Sequence, residues 1–488
     1  MEISSKTLVC NFIWRFMERI GAQFIQFIVS VVLARIIAPE EYGTITLVLV
    51  FTQILQVFVD SGLACALIQK KDADELDFSS VFFFNIAACL GLYIIIFMCT
   101  PLIAKFYGDS SITSIVRVLS LSIVISGVKN IQQAYVSRTM QFKKFFFSTL
   151  WGTVASAIIG IAMALKDFGV WALVFQKLTN LFIDTLVLWM TVEWRPKWIF
   201  SWARLRVLLG FGWKILIATL IDTIYRNLQN LVIGKIYSTS DLAFYNKGQQ
   251  LPNLIALNVN KSIDSILLPV MSNVQENKMR VKKMTRRAIT ISTYIMAPLM
   301  IGLAVCADSV VHVLLTDKWQ FCVPYMRIFC VTSIFYSIHT ANLNAIKAMG
   351  RSDLFLKLEI VKKIVGITAL LITIPISVKA MAYSLLIVSV LCQIINSWPN
   401  RKLLCYSYLE QIRDIMPNIG LATVMGMVVL MIEYVPLQNI YIILLLQVTI
   451  GGVVYLSLSF FTKVEAYIYI KSMFGNIYQK SHRNGNKN

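Results

Sequence analysis

The chain has 488 residues, 57% of them hydrophobic and 14% charged, with a mean hydropathy of +0.70. A soluble core does not absorb that much apolar sequence, so composition excludes a soluble protein and points to a polytopic membrane protein. The formal charge of +20 is no argument for nucleic acid, because loops on one face of a membrane account for the basic residues.

A helical span takes about 20 apolar residues to cross a hydrocarbon core of about 30 Å. About fourteen stretches meet that length. They lie near 12–37, 42–66, 79–104, 112–136, 147–165, 170–191, 207–235, 242–268, 285–307, 322–349, 353–376, 379–399, 414–435 and 439–462. Their spacing is helical, with no ten-residue alternation of the kind a barrel needs. Glu2, Lys6, Arg15, Glu18 and Arg19 stand where a signal peptide would carry its apolar core, so the first span reads as a retained helix. With the N-terminus cytoplasmic, the inside loops hold about 25 basic residues, among them Lys70, Lys71, Arg138, Lys143, Lys144 and the 278–287 run, against about 4 outside. That bias predicts a multi-pass protein with both termini in the cytoplasm. The nine cysteines, such as Cys65, Cys89, Cys306 and Cys392, read as small apolar packing residues. Three histidines without ligand spacing predict no metal site, and no cofactor is expected.

The chain echoes itself after about 200 residues. Phe12-Ile13-Trp14-Arg15 opens span 1, and Phe211-Gly212-Trp213-Lys214 opens span 7. Arg35-Ile36-Ile37 before Glu41 and Gly43 is answered by Lys235-Ile236-Tyr237 before Asp241 and Ala243. Arg117-Val118-Leu119 is answered by Arg327-Ile328-Phe329, and Pro101-Leu102 by Pro298-Leu299. The expected fold is therefore an all-α polytopic membrane protein with two pseudo-symmetric six-helix lobes plus two C-terminal helices. Residues 1–192 form the N-terminal lobe, 193–206 a basic amphipathic cytoplasmic linker and 207–400 the C-terminal lobe. Two extra spans follow in 401–462, and 463–488 is a basic cytoplasmic tail. Two like lobes about a central cavity suit a transporter that works by alternating access.

Charges inside spans are unfavourable and by default face a cavity or a partner. Span 1 carries Arg15, Glu18, Arg19, Gln23 and Gln26 at spacings of three and four, and span 2 carries Gln53, Gln56 and Asp60. Span 7 carries Lys214, Asp222, Tyr225, Arg226 and Gln229; span 8 carries Lys247, Gln250, Asn253, Lys261 and Asp264. Excess positive charge suits a polyanion, since a guanidinium meets phosphate oxygens bidentately, and amides suit sugar hydroxyls. A plainer reading stands beside each. Arg15, Arg35, Lys235 and Lys247 reach headgroups by snorkelling from helix ends. Glu18 pairs along its own helix, and Lys177 and Asp184 hold helices together. Trp14, Trp151, Trp189, Trp194, Trp198 and Trp202 read as an aromatic belt.

Several stretches match a known family in order and spacing. They are Ala38-Pro39-Glu40-Glu41-Tyr42-Gly43, Asp60-Ser61-Gly62-Leu63, Arg117-Val118-Leu119-Ser120, Asn230-Leu231-Val232-Ile233-Gly234-Lys235, Asp241-Leu242-Ala243-Phe244-Tyr245-Asn246, Gln250-Leu251-Pro252-Asn253 and Gly350-Arg351-Ser352-Asp353. Across roughly residues 10 to 415 the chain resembles the Wzx-type polysaccharide flippases of the multidrug/oligosaccharidyl-lipid/polysaccharide exporter superfamily. The branch it resembles is that of lipopolysaccharide, colanic-acid and teichuronic-acid biosynthesis. Ala243 departs from the glycine usual there, and the last two spans match only by hydrophobicity. The resemblance implies a non-enzymatic flippase of the bacterial inner membrane that carries undecaprenyl-pyrophosphate-linked oligosaccharide. It implies membrane lipids, a polysaccharide polymerase and chain-length machinery as partners, and no nucleic acid. Arg15, Arg19, Gln23, Gln26, Lys214, Arg226, Lys247 and Lys261 are the expected substrate-binding residues. Glu18, Asp60, Asp222 and Asp264 are the expected coupling residues. The alternatives are a cation-coupled multidrug exporter of the same superfamily, a lipid II flippase, and a polysaccharide polymerase or ligase. The outside connection near 308–321, with Asp308, His312 and Asp317 but no arginine cluster, argues against the last.

Overall fold

The computed structural model describes residues 5–60, 62–70, 72–434, 436 and 438–472; the side chains of 5–13, 15, 16, 19, 20, 211 and 266 lie outside that description. The described residues are helical and contain no strand. They divide into two compact units, Met1–Ala243 and Phe244–Asn488.

Unit 1 comprises α1 (Ser5–Ile36), α2 (Pro39–Asp60), α3 (Leu63–Gln69), α4 (Glu75–Tyr107), α5 (Ser111–Leu119), α6 (Leu121–Arg138), α7 (Phe142–Ala164), α8 (Val170–Thr191) and α9 (Trp202–Ile236). From α10 (Thr239–Ser272) onward the chain enters unit 2. There follow α11 (Lys278–Val305), α12 (Ala307–Leu314), α13 (Val323–Ala348), α14 (Ser352–Thr373), α15 (Val378–Leu403), α16 (Tyr408–Met431) and α17 (Ile440–Thr462). Among the described residues eleven helices are long and apolar enough to cross a membrane. The number is twelve if Trp202–Gly210 and Gly212–Ile236, bent by 46°, count as one span. The sequence expectation of about fourteen also took in α1 and α14, which are 32 and 22 residues long. Charge explains α14, which carries Asp353, Lys357, Glu359, Lys362 and Lys363. Of α1, the fully described apolar part is Gly21–Ile36, shorter than a full span.

Helices in lipid associate by close packing of small residues, because the surrounding chains are as apolar as leucine. α7 shows why α8 lies against it. Ser148, Gly152, Ser156, Gly160 and Ala164 recur every fourth residue, and all are buried. A Cβ added at Gly152 would fall 2.8 Å from the Asn180 carbonyl oxygen, and one at Gly160 would fall 2.9 Å from Gln176 Cγ. α4 begins with a capping box in which Asp74 accepts from the Asp77 amide and Asp77 from the Asp74 amide. It ends at Gly108 with φ +76°, where a left-handed residue closes the helix.

Residues 192–201 hold no helix, so the expected amphipathic linker runs as an extended segment before α9 begins at Trp202. It is pinned to the start of α4: Ser79 Oγ accepts from the Lys197 amide at 3.1 Å and Ser80 Oγ from the Ser201 amide at 2.9 Å. Trp198 is 93% exposed, but Trp194 is buried against Phe78, Phe82 and Tyr135. Trp194 is thus a core residue and not part of an aromatic belt; three residues past the end of α8, it is turned inward. Cys89, Cys306, Cys322 and Cys330 are buried, whereas Cys65 is exposed and packs no core.

Arg117 and Arg327, paired by the repeat, make similar local contacts in their own units. Arg117 Nε donates to Thr100 Oγ1 at 3.0 Å, beside Pro101 in α4. Arg327 Nε donates to the Ala304 carbonyl at 3.2 Å, near the end of α11, which carries Pro298. Arg327 also pairs with Asp308. His312 and Asp317 pair with each other, so Asp308, His312 and Asp317 are all engaged locally.

Candidate functional site

Unit 1 encloses a cavity of about 270 Å³ between α2, α6 and α8. Gln53, Gln56 and Asp60 reach it from α2, spaced three and four apart so that they share one helix face. α6 contributes Ser122, Ser126, Lys129, Asn130 and Gln133, and α8 contributes Lys177. Asp60 Oδ1 accepts from Asn130 Nδ2 at 3.0 Å and from Gln56 Nε2 at 3.2 Å. Lys129 Nζ meets Asp184 Oδ2 at 2.6 Å, with both side chains nearly out of reach of solvent. Lys177 makes no ion pair among the described residues. Of the two residues expected to hold helices together, Asp184 does so by taking Lys129 from α6, and Lys177 lines the cavity.

Chemically this is a chamber of neutral amides and hydroxyls with one carboxylate and one ammonium not paired to each other. Amides and hydroxyls so placed are able to hydrogen-bond a hydroxyl-rich molecule, and the charges are held in fixed places at membrane depth. No group of three or more His, Cys, Asp or Glu able to hold a metal occurs among the described residues.

Of the residues expected from sequence to bind substrate or couple, Asp60 is the one that lines this cavity. Arg15 and Arg19 have side chains outside the described residues. Glu18 is half-buried and accepts from Thr149 Oγ1 at 3.5 Å, Gln23 is half-buried and Gln26 exposed. Lys214, Lys261 and Asp264 are exposed. Arg226 Nε meets Asp222 Oδ2 at 2.7 Å, so a binding and a coupling candidate are engaged with each other one turn apart on α9. Lys247 is buried within unit 2, its ammonium 5.5 Å from the centre of the Trp319 ring. Lys129 escaped the sequence reading, although the polar run Lys129-Asn130 followed by Gln132-Gln133 inside an apolar span was its signal.

Unit 2 has a polar centre of a different kind. Asn342 Nδ2 donates to Gln411 Oε1 at 2.9 Å, and Gln411 Nε2 returns a bond to Asn342 Oδ1 at 3.1 Å. Asn400 Nδ2 donates to Asn342 Oδ1 at 2.7 Å, and Ser397 Oγ to Gln411 Oε1 at 3.0 Å. All four residues are fully buried.

The fold is that of known transporters. A structure of the lipid II flippase MurJ in an inward-closed conformation superposes with a TM-score of 0.77 at 14% identity, covering 92% of this chain and 99% of that one. An inward-facing multidrug resistance MATE family transporter of the MOP superfamily gives 0.62 at 14% identity, over 82% of this chain and 96% of that one. By sequence, the chain is 24% identical over 336 residues to the succinoglycan biosynthesis transport protein ExoT of Rhizobium meliloti, spanning 68% of this chain and 67% of that protein. It is 22% identical to the lipopolysaccharide biosynthesis protein WzxC of Escherichia coli over 70% of each, and 21% identical to the teichuronic acid biosynthesis protein TuaB of Bacillus subtilis over 72% and 74%. Residues 32–324, more than half of the chain, match the model of the polysaccharide biosynthesis protein family. With helices long and apolar enough to cross a membrane, the chain belongs to that family of polysaccharide biosynthesis proteins.

Proposed function

We propose that this protein moves undecaprenyl-pyrophosphate-linked oligosaccharide units across the bacterial inner membrane for surface-polysaccharide assembly. The observation that carries the reading is the unit 1 cavity, where Asp60, Lys177 and a set of amides face one space inside a chain of the polysaccharide biosynthesis family. Amide and hydroxyl groups there suit sugar hydroxyls, which take neutral donors and acceptors. In this reading Arg15, Arg19, Lys214 and Arg226 hold the pyrophosphate, with Gln23, Gln26, Lys247 and Lys261 completing the substrate path. Glu18, Asp60, Asp222 and Asp264 take up the coupling ion. The two repeat-related lobes, 1–192 and 207–400, alternate access while the polyprenyl tail stays in lipid. No group performs covalent chemistry. Both termini face the cytoplasm, and a polymerase with its chain-length machinery takes the delivered unit.

The test is to extract lipids from cells lacking the protein, identify undecaprenyl-linked glycans by mass spectrometry and assign each to a leaflet. Completed repeat units held on the cytoplasmic leaflet are the expected result and identify the glycan. Single units already facing outward would place the defect after flipping and overturn the proposal.

A further inference from the structure

After α17 the chain turns at Lys463, whose φ of +52° breaks the helix, and resumes as a helix from 465 to 472. Where that segment crosses α11, unit 2 holds a second cavity, of about 380 Å³. Arg287, Thr290 and Ile291 form one wall, three and four residues apart on α11. Lys463, Ile468 and Tyr469 form the other. That wall is held in place, because Ala466, Tyr467 and Ile470 pack into a core with Tyr294, Met425 and Tyr455.

The charges here are unbalanced in a specific way. Glu465 is the only acid lining the cavity, and Arg286, which does not line it, takes that carboxylate at 2.9 Å while also meeting Asp414 at 3.0 Å. The Arg287 guanidinium lies 4.6 Å from the centre of the Tyr469 ring. Neither Arg287 nor Lys463 meets a carboxylate among the described residues. The cavity thus presents two free cations above apolar side chains. Its place on α11 is equally specific: the basic run 278–287 ends at Arg287, and the apolar stretch begins at Ala288. Such a changeover marks the boundary between water and hydrocarbon.

We propose that this cavity binds an anionic phospholipid of the adjoining leaflet, its phosphate between Arg287 and Lys463 and an acyl chain along Ile291 and Ile468. A free phosphate would use the cations but leave those apolar walls without a partner. The site lies in unit 2 and does not depend on the unit 1 cavity or on the transported glycan.

The experiment is native mass spectrometry of the full-length protein in detergent, titrated with dioleoyl phosphatidylglycerol, with dioleoyl phosphatidylcholine, or with inorganic phosphate. Wild type should retain phosphatidylglycerol at least tenfold more tightly than phosphatidylcholine, and Arg287→Ala/Lys463→Ala should lose that preference. Lys471→Ala, on the same segment but outside the cavity, should keep it and so control for a general loss of surface charge. Because both cavity cations are exposed side chains, the double variant should keep the monodisperse peak and melting temperature of wild type. Equal retention by wild type and the double variant would overturn the proposal. So would displacement of the lipid by millimolar inorganic phosphate, which would make the site one for a soluble anion.

Discussion

In unit 1 the polar groups inside the membrane are charged and surround an open cavity: Lys129 with Asp184, then Asp60 and Lys177. Unit 2 also holds charges, such as the buried Lys247 and the Lys362–Glu359 pair, but its polar centre is neutral and turned inward, with Asn342, Ser397, Asn400 and Gln411 joined by bonds of 2.7–3.1 Å. Neutral amides that satisfy each other fix how α13, α15 and α16 pack and ask for little else. Charges that line a cavity without a full set of partners are unfavourable in the apo protein and persist where a ligand or ion completes them. The contrast is between two clusters: the unit 2 amides fix packing, and in the proposed reading the unit 1 charges meet the ligand.

The largest effect expected comes from breaking the ion pair of unit 1. Lys129→Ala leaves Asp184 buried and alone, which costs about 3–5 kcal/mol. The folded fraction recovered in detergent should collapse. Lys129→Ala/Asp184→Ala should recover much of it, since removing both partners leaves no orphaned charge. A single variant that melts with wild type would show that α6 and α8 are held by packing alone.

Unit 2 should respond more mildly. Gln411→Ala removes its bonds to Asn342 and Ser397, which keep Asn400, the Ile338 carbonyl and the Gln393 carbonyl as partners, and costs about 1–3 kcal/mol for the buried hydrogen bonds lost. Transport per folded molecule should not change. A loss of transport beyond the loss of folded protein would make the amide cluster part of the working site and erase the contrast between the units.

Much of this was legible in sequence, and the exceptions share a physical cause. The helical membrane class follows from apolar runs about 20 residues long, which no tertiary detail alters, whereas the transporter reading rests on the repeat after about 200 residues and the family resemblance. Asp60 with Gln53 and Gln56 could be read because three residues of one helix share a face by periodicity alone. Lys129 could not be read in the same way, since its meaning depends on Asp184, 55 positions away on another helix. Trp194 shows the converse limit. Its neighbours Arg195, Lys197 and Trp198 look interfacial, yet the turn after α8 folds Trp194 alone into a core. The unit 2 amides were passed over because they come from three separate helices, α13, α15 and α16, and meet only in the fold.

Within unit 1, charge and shape can be separated at Asp60. The side-chain carbonyl that Asp60→Asn introduces still accepts from Gln56 and Asn130, so the fold should hold while the charge disappears. In the proposed reading, flipping assayed in proteoliposomes should fall about tenfold, equivalent to about 1.4 kcal/mol, with the melting temperature unchanged. Full transport by Asp60→Asn would remove Asp60 from coupling and leave the cavity a polar packing defect.

The smallest effect carries the same contrast to the helix ends. α4 of unit 1 starts at a charged cap, Asp74, and α11 of unit 2 starts at a neutral one, Asn277, whose side chain accepts from the Arg280 amide at 3.0 Å. Asp74 lies outside the spans. Its bond from the Asp77 amide and its contact with Arg204 hold its carboxyl down to about 2. An unfolded aspartate titrates near 3.9. Because the folded value is the lower one, the cap's electrostatic support is complete above about pH 4 and is lost as pH falls toward about 2. Removing the cap outright, as in Asp74→Ala, should cost about 1 kcal/mol. Amide exchange, corrected for its intrinsic pH dependence, should therefore show the first turn of α4 losing protection between about pH 4 and 2, and the first turn of α11 keeping its own, because Asn277 does not titrate. Equal loss at both helix starts would mean that acid acts on the whole molecule rather than on the charged cap, and the distinction between the units would stop at the membrane interior.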